Sequence, residues 1–381
     1  MCHKQSPLST EAETPPRDGR NAPPVPPGQS LLSGVRELVS GVDALYFSGR
    51  ATIPNDLIAR LEKVRQKAID AHSPQGFTFG VLGVEMLPRG WGKYRYCFEH
   101  PYALFGVTQS SRLPSVRVQP RAEFLHGAGP EGTVEWVRTV LESELGPVLL
   151  TVGRVDLFTD LQGWDVSVDR RHEFTCRARS VHGYETDGAF NGLVFGDRKS
   201  HSIMARIYDK TVEIQSHGAH YWPMIWGDSY DPELPVVRVE FEIDRAALRE
   251  YGLATPSEVL EAVGALWASL TDTWLVHRVP TSDQTRSRWP VTPAWEAVRR
   301  ARIADEAHGI RRMYLGKTRG GVEGILPNLV GYLASFGAYT GAKDLKEVLP
   351  FLDFQLSRRE AETGLSLEER ISARRKKLGL P

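Results

Sequence analysis

The chain has 381 residues, and its 47 basic and 47 acidic side chains leave no formal net charge at pH 7. Its 41% hydrophobic and 25% charged content suits a globular chain of roughly two or three compact domains, and no apolar run approaches the ~18 residues a membrane-spanning helix needs. A face that binds a polyanion must therefore arise from local segregation of charge, and Cys2, Cys97 and Cys176 are too scattered for a disulfide framework or a thiolate zinc site.

Residues 1–30 are polar and Pro-rich from Pro23 to Pro27, so they are expected to be disordered. They lack the apolar stretch of a signal peptide, and the protein is expected in the cytoplasm. From residue 31 the texture changes. A strand is expected over 42–48 and a helix over 55–70, with Leu57, Leu61, Val64 and Ala68 on one face. Strand-like segments follow at 77–84, 94–99, 102–108 and 116–125, then a helix over 133–145 with Val134, Val137, Leu141 and Leu145 at spacings of three and four.

The order then repeats. Residues 149–161 form a strand whose Val155-Asp156 pair echoes Val42-Asp43, and a helix is expected around 169–178. Strands follow at 192–196, 203–214 and 236–243, with a short helix near Arg245. Two β-α-β-β-β-α units, about 31–148 and 149–251, predict an α+β fold: a pseudo-duplicated, antiparallel-rich sheet core with packed helices. Helix signals dominate from 252 to 381. Thr255-Pro256-Ser257-Glu258 starts one helix, 261–276 supplies an apolar stripe, and Thr292-Pro293 starts another. Further helices are expected over 324–339, 345–354 and from Ser366, where Glu369 completes a capping box before the basic run Arg374-Arg375-Lys376-Lys377. That whole stretch is expected to be a helical C-terminal region.

The chemistry concentrates between residues 154 and 242. In a strand alternate residues share a face, so Arg206, Tyr208 and Lys210 are expected to point one way. A tyrosine between two cations is favoured as phenolate and sits where a phosphate would be attracted; the same residues also suit a half-exposed strand with flanking cations for solubility. Arg154, Asp156, Phe158 and Asp160 share one face of their strand, and Arg238, Glu240 and Glu242 one face of theirs. Carboxylates on a sheet face repel unless compensated, by a hard divalent cation such as Mg2+ or Mn2+ or by cross-strand Arg–Glu pairs on a water-facing surface.

Arg154-Val155-Asp156, the Gly196-x-Arg198-x-Ser200 turn, Arg206-Ile207-Tyr208-Asp209-Lys210 with Glu213, and Arg238-Val239-Glu240 together resemble the replication initiation factors of the trans-acting plasmid Rep type. That family includes rolling-circle initiators and related conjugative-element relaxases, and Arg288-Trp289-Pro290-Val291 with Trp295 looks like its tail. The resemblance spans about 42–295. It implies a metal-dependent nicking and joining enzyme that works through a 5′-phosphotyrosine on Tyr208, with Lys210 and Arg206 assisting. It also implies Mg2+ or Mn2+ held by Asp156 and Glu240, with Asp160 and Glu242 as further ligands. Origin DNA, double- and single-stranded, is the implied partner; a helicase and a second copy of the chain are further expectations. Transfer of a conjugative element and non-catalytic DNA binding on the same scaffold are the alternatives.

Three other patterns read as decoys. Gly127-Ala128-Gly129-Pro130-Glu131-Gly132 matches a dinucleotide-binding spacing, but its glutamate and proline suit a turn better than a phosphate cradle. His308 to Tyr314 is too short for a recombinase arrangement, and His217 with His220 fits a loop better than a metal site.

Overall fold

The computed structural model describes residues 34–198, 202–303 and 322–378. The expected disordered start at 1–30, Ser200 and the His308–Tyr314 segment lie outside the described residues. The chain divides into two units, 1–312 and 313–381.

In the first unit the opening half runs β1 (Arg36–Arg50), α1 (Asn55–Ala71), β2 (Gln75–Phe79), β3 (Leu82–Met86), β4 (Tyr96–His100), β5 (Ala103–Val107), β6 (Val116–Pro120) and α2 (Ala122–Leu145). The following half runs β7 (Leu149–Gln162), β8 (Phe174–Cys176), β9 (Val181–Thr186), β10 (Ala189–Phe195), β11 (Ile203–Asp209), α3 (Lys210–His217), α4 (Trp222–Trp226), β12 (Val236–Asp244) and α5 (Arg245–Glu250). Eleven of these strands make one sheet in the order β2-β3-β4-β5-β6-β1-β7-β12-β11-β10-β9, and every neighbouring pair is antiparallel. In each half the first strand pairs with the last, β1 with β6 and β7 with β12, and the first strands join the halves. The α+β fold with a large antiparallel sheet is as expected, and the repeat of element order appears as this mirrored strand order.

Strand alternation sorts the two faces. Val155, Leu157 and Leu161 of β7, Val239, Phe241 and Ile243 of β12, and Ala205 and Ile207 of β11 enter the main core with Leu57 and Leu61 of α1 and Val137 and Leu141 of α2. Each fully buried Leu, Val or Phe contributes about 1.5–3 kcal/mol over an exposed one, so this apolar stripe fixes the register. A one-residue slip would turn it to water. The opposite face of the same strands is therefore committed to Arg154, Asp156, Arg206, Tyr208, Arg238 and Glu240.

Four expectations change. Residues 169–178 are not a helix: a short 3-10 turn (Asp169–Glu173) leads into β8, which pairs with β13 (Leu275–His277). The strand expected to reach residue 214 ends at Asp209, whose Oδ1 accepts from Thr211 N at 2.8 Å and Val212 N at 3.1 Å and so starts α3. The helix expected from 133 begins at Ala122 and kinks at Gly129, whose φ of 75° and ψ of 165° suit only glycine. Lastly, the helical region from 252 is not one appendage. Helices α6 (Pro256–Glu261), α7 (Val263–Ser269) and α8 (Pro293–Arg299) belong to the first unit, where Leu266, Trp267, Trp295 and Val298 join the main core. The capping box at Thr255 and Glu258 forms as expected.

The second unit holds α9 (Val322–Thr340), α10 (Leu345–Thr363) and α11 (Leu367–Leu378). Glu369 N donates to Ser366 Oγ at 3.1 Å and Ser366 N to Glu369 Oε2 at 2.8 Å, which realises the expected cap of α11. Among the described residues no helix is long and apolar enough to cross a membrane.

Candidate active site

Three adjacent strands bring the expected residues to one sheet face. In register, Tyr208 of β11 lies opposite Arg238 of β12, and Arg206 opposite Glu240. Glu242 in turn lies opposite Asp156 of β7, and Arg238 opposite Asp160. The Tyr208 hydroxyl donates to Glu240 Oε2 at 3.0 Å, and Arg206 Nη2 holds the other oxygen, Oε1. Glu240 is almost wholly buried, so this carboxylate has Tyr208 and Arg206 as its immediate partners.

Burial, followed by the nearby Glu240 carboxylate, raises the Tyr208 hydroxyl well above the usual phenol range, and Arg238 and Arg206 oppose this only in part. At rest the tyrosine is thus a phenol donating to a carboxylate. The expectation that flanking cations would favour the phenolate is reversed by desolvation. Lys210 also arrives differently from the alternation argument. As the first residue of α3 it is buried, with Nζ 2.6 Å from Glu213 Oε2, 5.9 Å from the centre of the Tyr208 ring and 4.8 Å from that of Trp222.

The carboxylates expected as metal ligands fall into two groups. Asp156 is held by Nε and Nη2 of Arg154, with Nε donating to Oδ1 at 2.7 Å. Burial, together with Glu240 and Glu242, pushes its carboxyl up to about 8 against the pull of Arg154. Glu242 is paired with Arg154 and accepts from Arg198, each with Nη2 at 2.9 Å from Oε2. Asp160 is separate. Arg238 donates from Nε to Oδ1 at 2.6 Å and from Nη2 to Oδ2 at 2.8 Å, while Trp226 Nε1 donates to Oδ2 at 2.7 Å. This is a buried ion pair in which both oxygens of Asp160 are engaged. Among the described residues no three His, Cys, Asp or Glu side chains are arranged as a ligand set.

Two residues of the site, Asp43 and His126, gave no motif of their own, and both gather at Arg238. Arg238 is fully buried, its guanidinium 4.0 Å from the Phe158 ring centre and 4.1 Å from that of Trp222. Its Nη1 donates to Asp43 Oδ1 at 2.7 Å, and His126 Nε2 lies 3.2 Å from the same oxygen. Asp43 had one faint signal, the echo between Val42-Asp43 and Val155-Asp156. His126 had none. Of the rival tyrosines, Tyr184 is exposed on the edge strand β9, Tyr221 packs against Trp222 beside the site with its hydroxyl raised chiefly by burial, and Tyr230 lies tilted against Trp226. The Gly127–Gly132 pattern is the kinked part of α2, a helix feature and not a phosphate cradle. His220 is exposed, and the His217 side chain lies outside the described residues.

No family model matches the chain, and no curated protein matches it. Among solved structures it is similar to a rolling circle replication initiator protein from Geobacillus stearothermophilus, at 15% sequence identity and a TM-score of 0.42, over 72% of this chain and 100% of that one. At that identity and score the likeness assigns no residue a role.

Proposed function

We propose that this chain nicks and rejoins DNA, with Tyr208 as the nucleophile and Glu240 as the base that takes its proton. The observation that supports this most is the 3.0 Å bond from the Tyr208 hydroxyl to a buried carboxylate that Arg206 grips from the other side. A surface tyrosine on a solvated strand has no need of such a partner. Tyr208 Oη attacks the scissile phosphorus as its proton passes to Glu240 and the P–O3′ bond breaks, which leaves a 5′-phosphotyrosine and a 3′-oxygen that becomes a hydroxyl on taking up one proton. Arg206, about a third exposed, can turn from Glu240 to the phosphate as Glu240 becomes neutral. Lys210 adds positive charge behind the Tyr208 ring, and Arg198 at the rim, 61% exposed, can meet an adjoining phosphate.

A Mg2+ or Mn2+ ion is part of the proposal at Asp156 and Glu242, which face each other across β7 and β12. It would polarise the scissile phosphate. As placed, their oxygens are engaged by Arg154 and Arg198, so the ion must displace an arginine to enter. The steps above rest on the chain's own residues. Origin DNA is the proposed substrate, and both a rolling-circle initiator and a conjugative relaxase fit the reading.

The test uses the supercoiled replicon that encodes the chain. Wild-type protein with Mg2+ or Mn2+ is expected to form a covalent adduct, which peptide mapping places on Tyr208 and sequencing places at one nick. Tyr208→Phe should abolish the adduct while DNA binding changes by no more than ~10-fold, since one hydroxyl contributes only about 0.5–1.5 kcal/mol. An adduct that survives Tyr208→Phe sinks the assignment.

A further inference from the structure

The network beside Tyr208 contains a His–Asp pair that the steps above leave unused. Asp43 is the extra residue of a bulge in β1: Val42 pairs with Leu157 and Ala44 with Asp156, so Asp43 falls between registers. Bulges of this kind re-aim a side chain. Here the side chain meets His126 Nε2 at 3.2 Å and Arg238 Nη1 at 2.7 Å, and Arg238 is the register partner of Tyr208. His126 comes from the short leg of α2 before the Gly129 kink. Its ring stands edge-on to Trp222, centres 4.8 Å apart, and Lys210 Nζ, 4.8 Å from the same ring centre, bridges to Tyr208. The wall from Tyr208 through Lys210 and Trp222 thus ends at His126.

Two features make the pair competent to handle a proton. Burial alone would push the Asp43 carboxyl up, but Arg238, the His126 bond and Lys210 hold it below the usual carboxylate range, so it stays an ionised acceptor for the ring. With Nε2 so engaged, His126 Nδ1 makes no hydrogen bond among the described residues, and the side chain retains 11% of its surface open to solvent. A carboxylate fixing one nitrogen while the other is free is the arrangement that orients an imidazole for proton transfer.

We propose that His126, oriented by Asp43, is the general acid for the leaving oxygen of strand cleavage; this rests on Tyr208 being the nucleophile. As the Tyr208 Oη–P bond forms and the P–O3′ bond breaks, the electron pair stays on O3′, which takes a proton from the imidazolium. The products are the 5′-phosphotyrosine, a 3′-hydroxyl and a neutral imidazole, with the tyrosine proton on Glu240. Rejoining runs in reverse, the neutral imidazole taking the proton from the attacking 3′-hydroxyl.

A leaving group that needs no proton separates this role from a structural one. The probe is a single-stranded oligonucleotide spanning the mapped nick, made with either oxygen or sulfur as the 3′-bridging atom. His126→Ala in the full chain is expected to slow adduct formation on the oxygen substrate by ~10²–10⁴-fold and to act within several-fold of wild type on the sulfur substrate. The rescue itself shows that the variant is folded. His126→Gln, which keeps a polar group near Asp43, should show the same split. Equal slowing on both substrates, or no slowing on either, overturns the proposal. If the wild type forms no adduct on either substrate, or Tyr208→Phe still forms one, the nucleophile assignment fails first and this inference falls with it.

Discussion

Arg238 sits between Phe158 and Trp222 with its guanidinium divided between Asp43 and Asp160, so its removal leaves the fully buried Asp160 without a cation and takes one partner from Asp43. Breaking a buried pair from one side costs about 3–5 kcal/mol, and Arg238→Met is expected to lose at least that much in urea unfolding. A loss under ~1 kcal/mol would show that the network is slack. Asp160→Asn should likewise destabilise, yet leave any dependence on Mg2+ or Mn2+ unchanged, because both oxygens of that carboxylate are already bonded to Arg238 and Trp226. Alternation in the sequence placed Asp160 on the correct face but could not show its partners, since Trp226 lies 66 residues away in the chain. Asp156 makes the opposite kind of prediction. Its carboxyl is raised in the fold from 3.8 to about 8, so between those values the folded state binds the proton that the unfolded state has released. Stability from this group therefore falls as pH rises from about 4 to about 8 and is flat outside that window. Relative to wild type, Asp156→Asn should gain stability steadily across that range in denaturant titrations. A constant difference would mean that the carboxyl is not displaced.

At the scale of elements, two junctions set the site, and each left a trace in the sequence. Asp209 ends β11 by capping α3, and this turns Lys210 off the strand face and under Trp222. An aspartate followed by Lys-Thr-Val-Glu is a recognisable helix start, but the run of alternation up to Tyr208 masked it. The kink of α2 at Gly129 aims the leg that bears His126. A glycine-rich spacing with a proline marked the place, though its handedness showed only in the fold. Gly129→Ala meets no neighbouring atom, so its penalty is purely conformational, about 1–3 kcal/mol for an L-residue in that region. Gly127→Ala and Gly132→Ala, at ordinary helical angles in the same helix, should instead be neutral or stabilise by up to ~1 kcal/mol. Thermal melts of the three variants test this directly. Equal effects at all three positions would mean that the kink is not held by glycine.

On the scale of the molecule, the site lies at the seam of the two halves. Tyr208, Glu240 and Asp156 come from the second half, and Asp43 and His126 from the first, across the β1–β7 pair. Element order made the sheet and its repeat visible in the sequence, because each strand advertises its own period. Convergence of side chains 83 residues apart, as Asp43 and His126 are, is a property of the assembled fold and has no local signature. The second unit follows a different balance. Val348 is its one buried apolar side chain among those described, while Tyr332, Tyr339 and Phe354 stand 75%, 93% and 63% exposed. Three helices with so little core cannot offset the entropy of ordering them, about 1–2 kcal/mol for each backbone residue. A fragment of residues 313–381 is therefore expected to melt without a cooperative transition by circular dichroism. A chain ending at residue 312 should keep a cooperative melt, since its core closes within the first unit. A sharp transition in the isolated fragment would show that the second unit carries a core of its own, and loss of the transition from the shortened chain would show that the main core does not stand without residues 313–381.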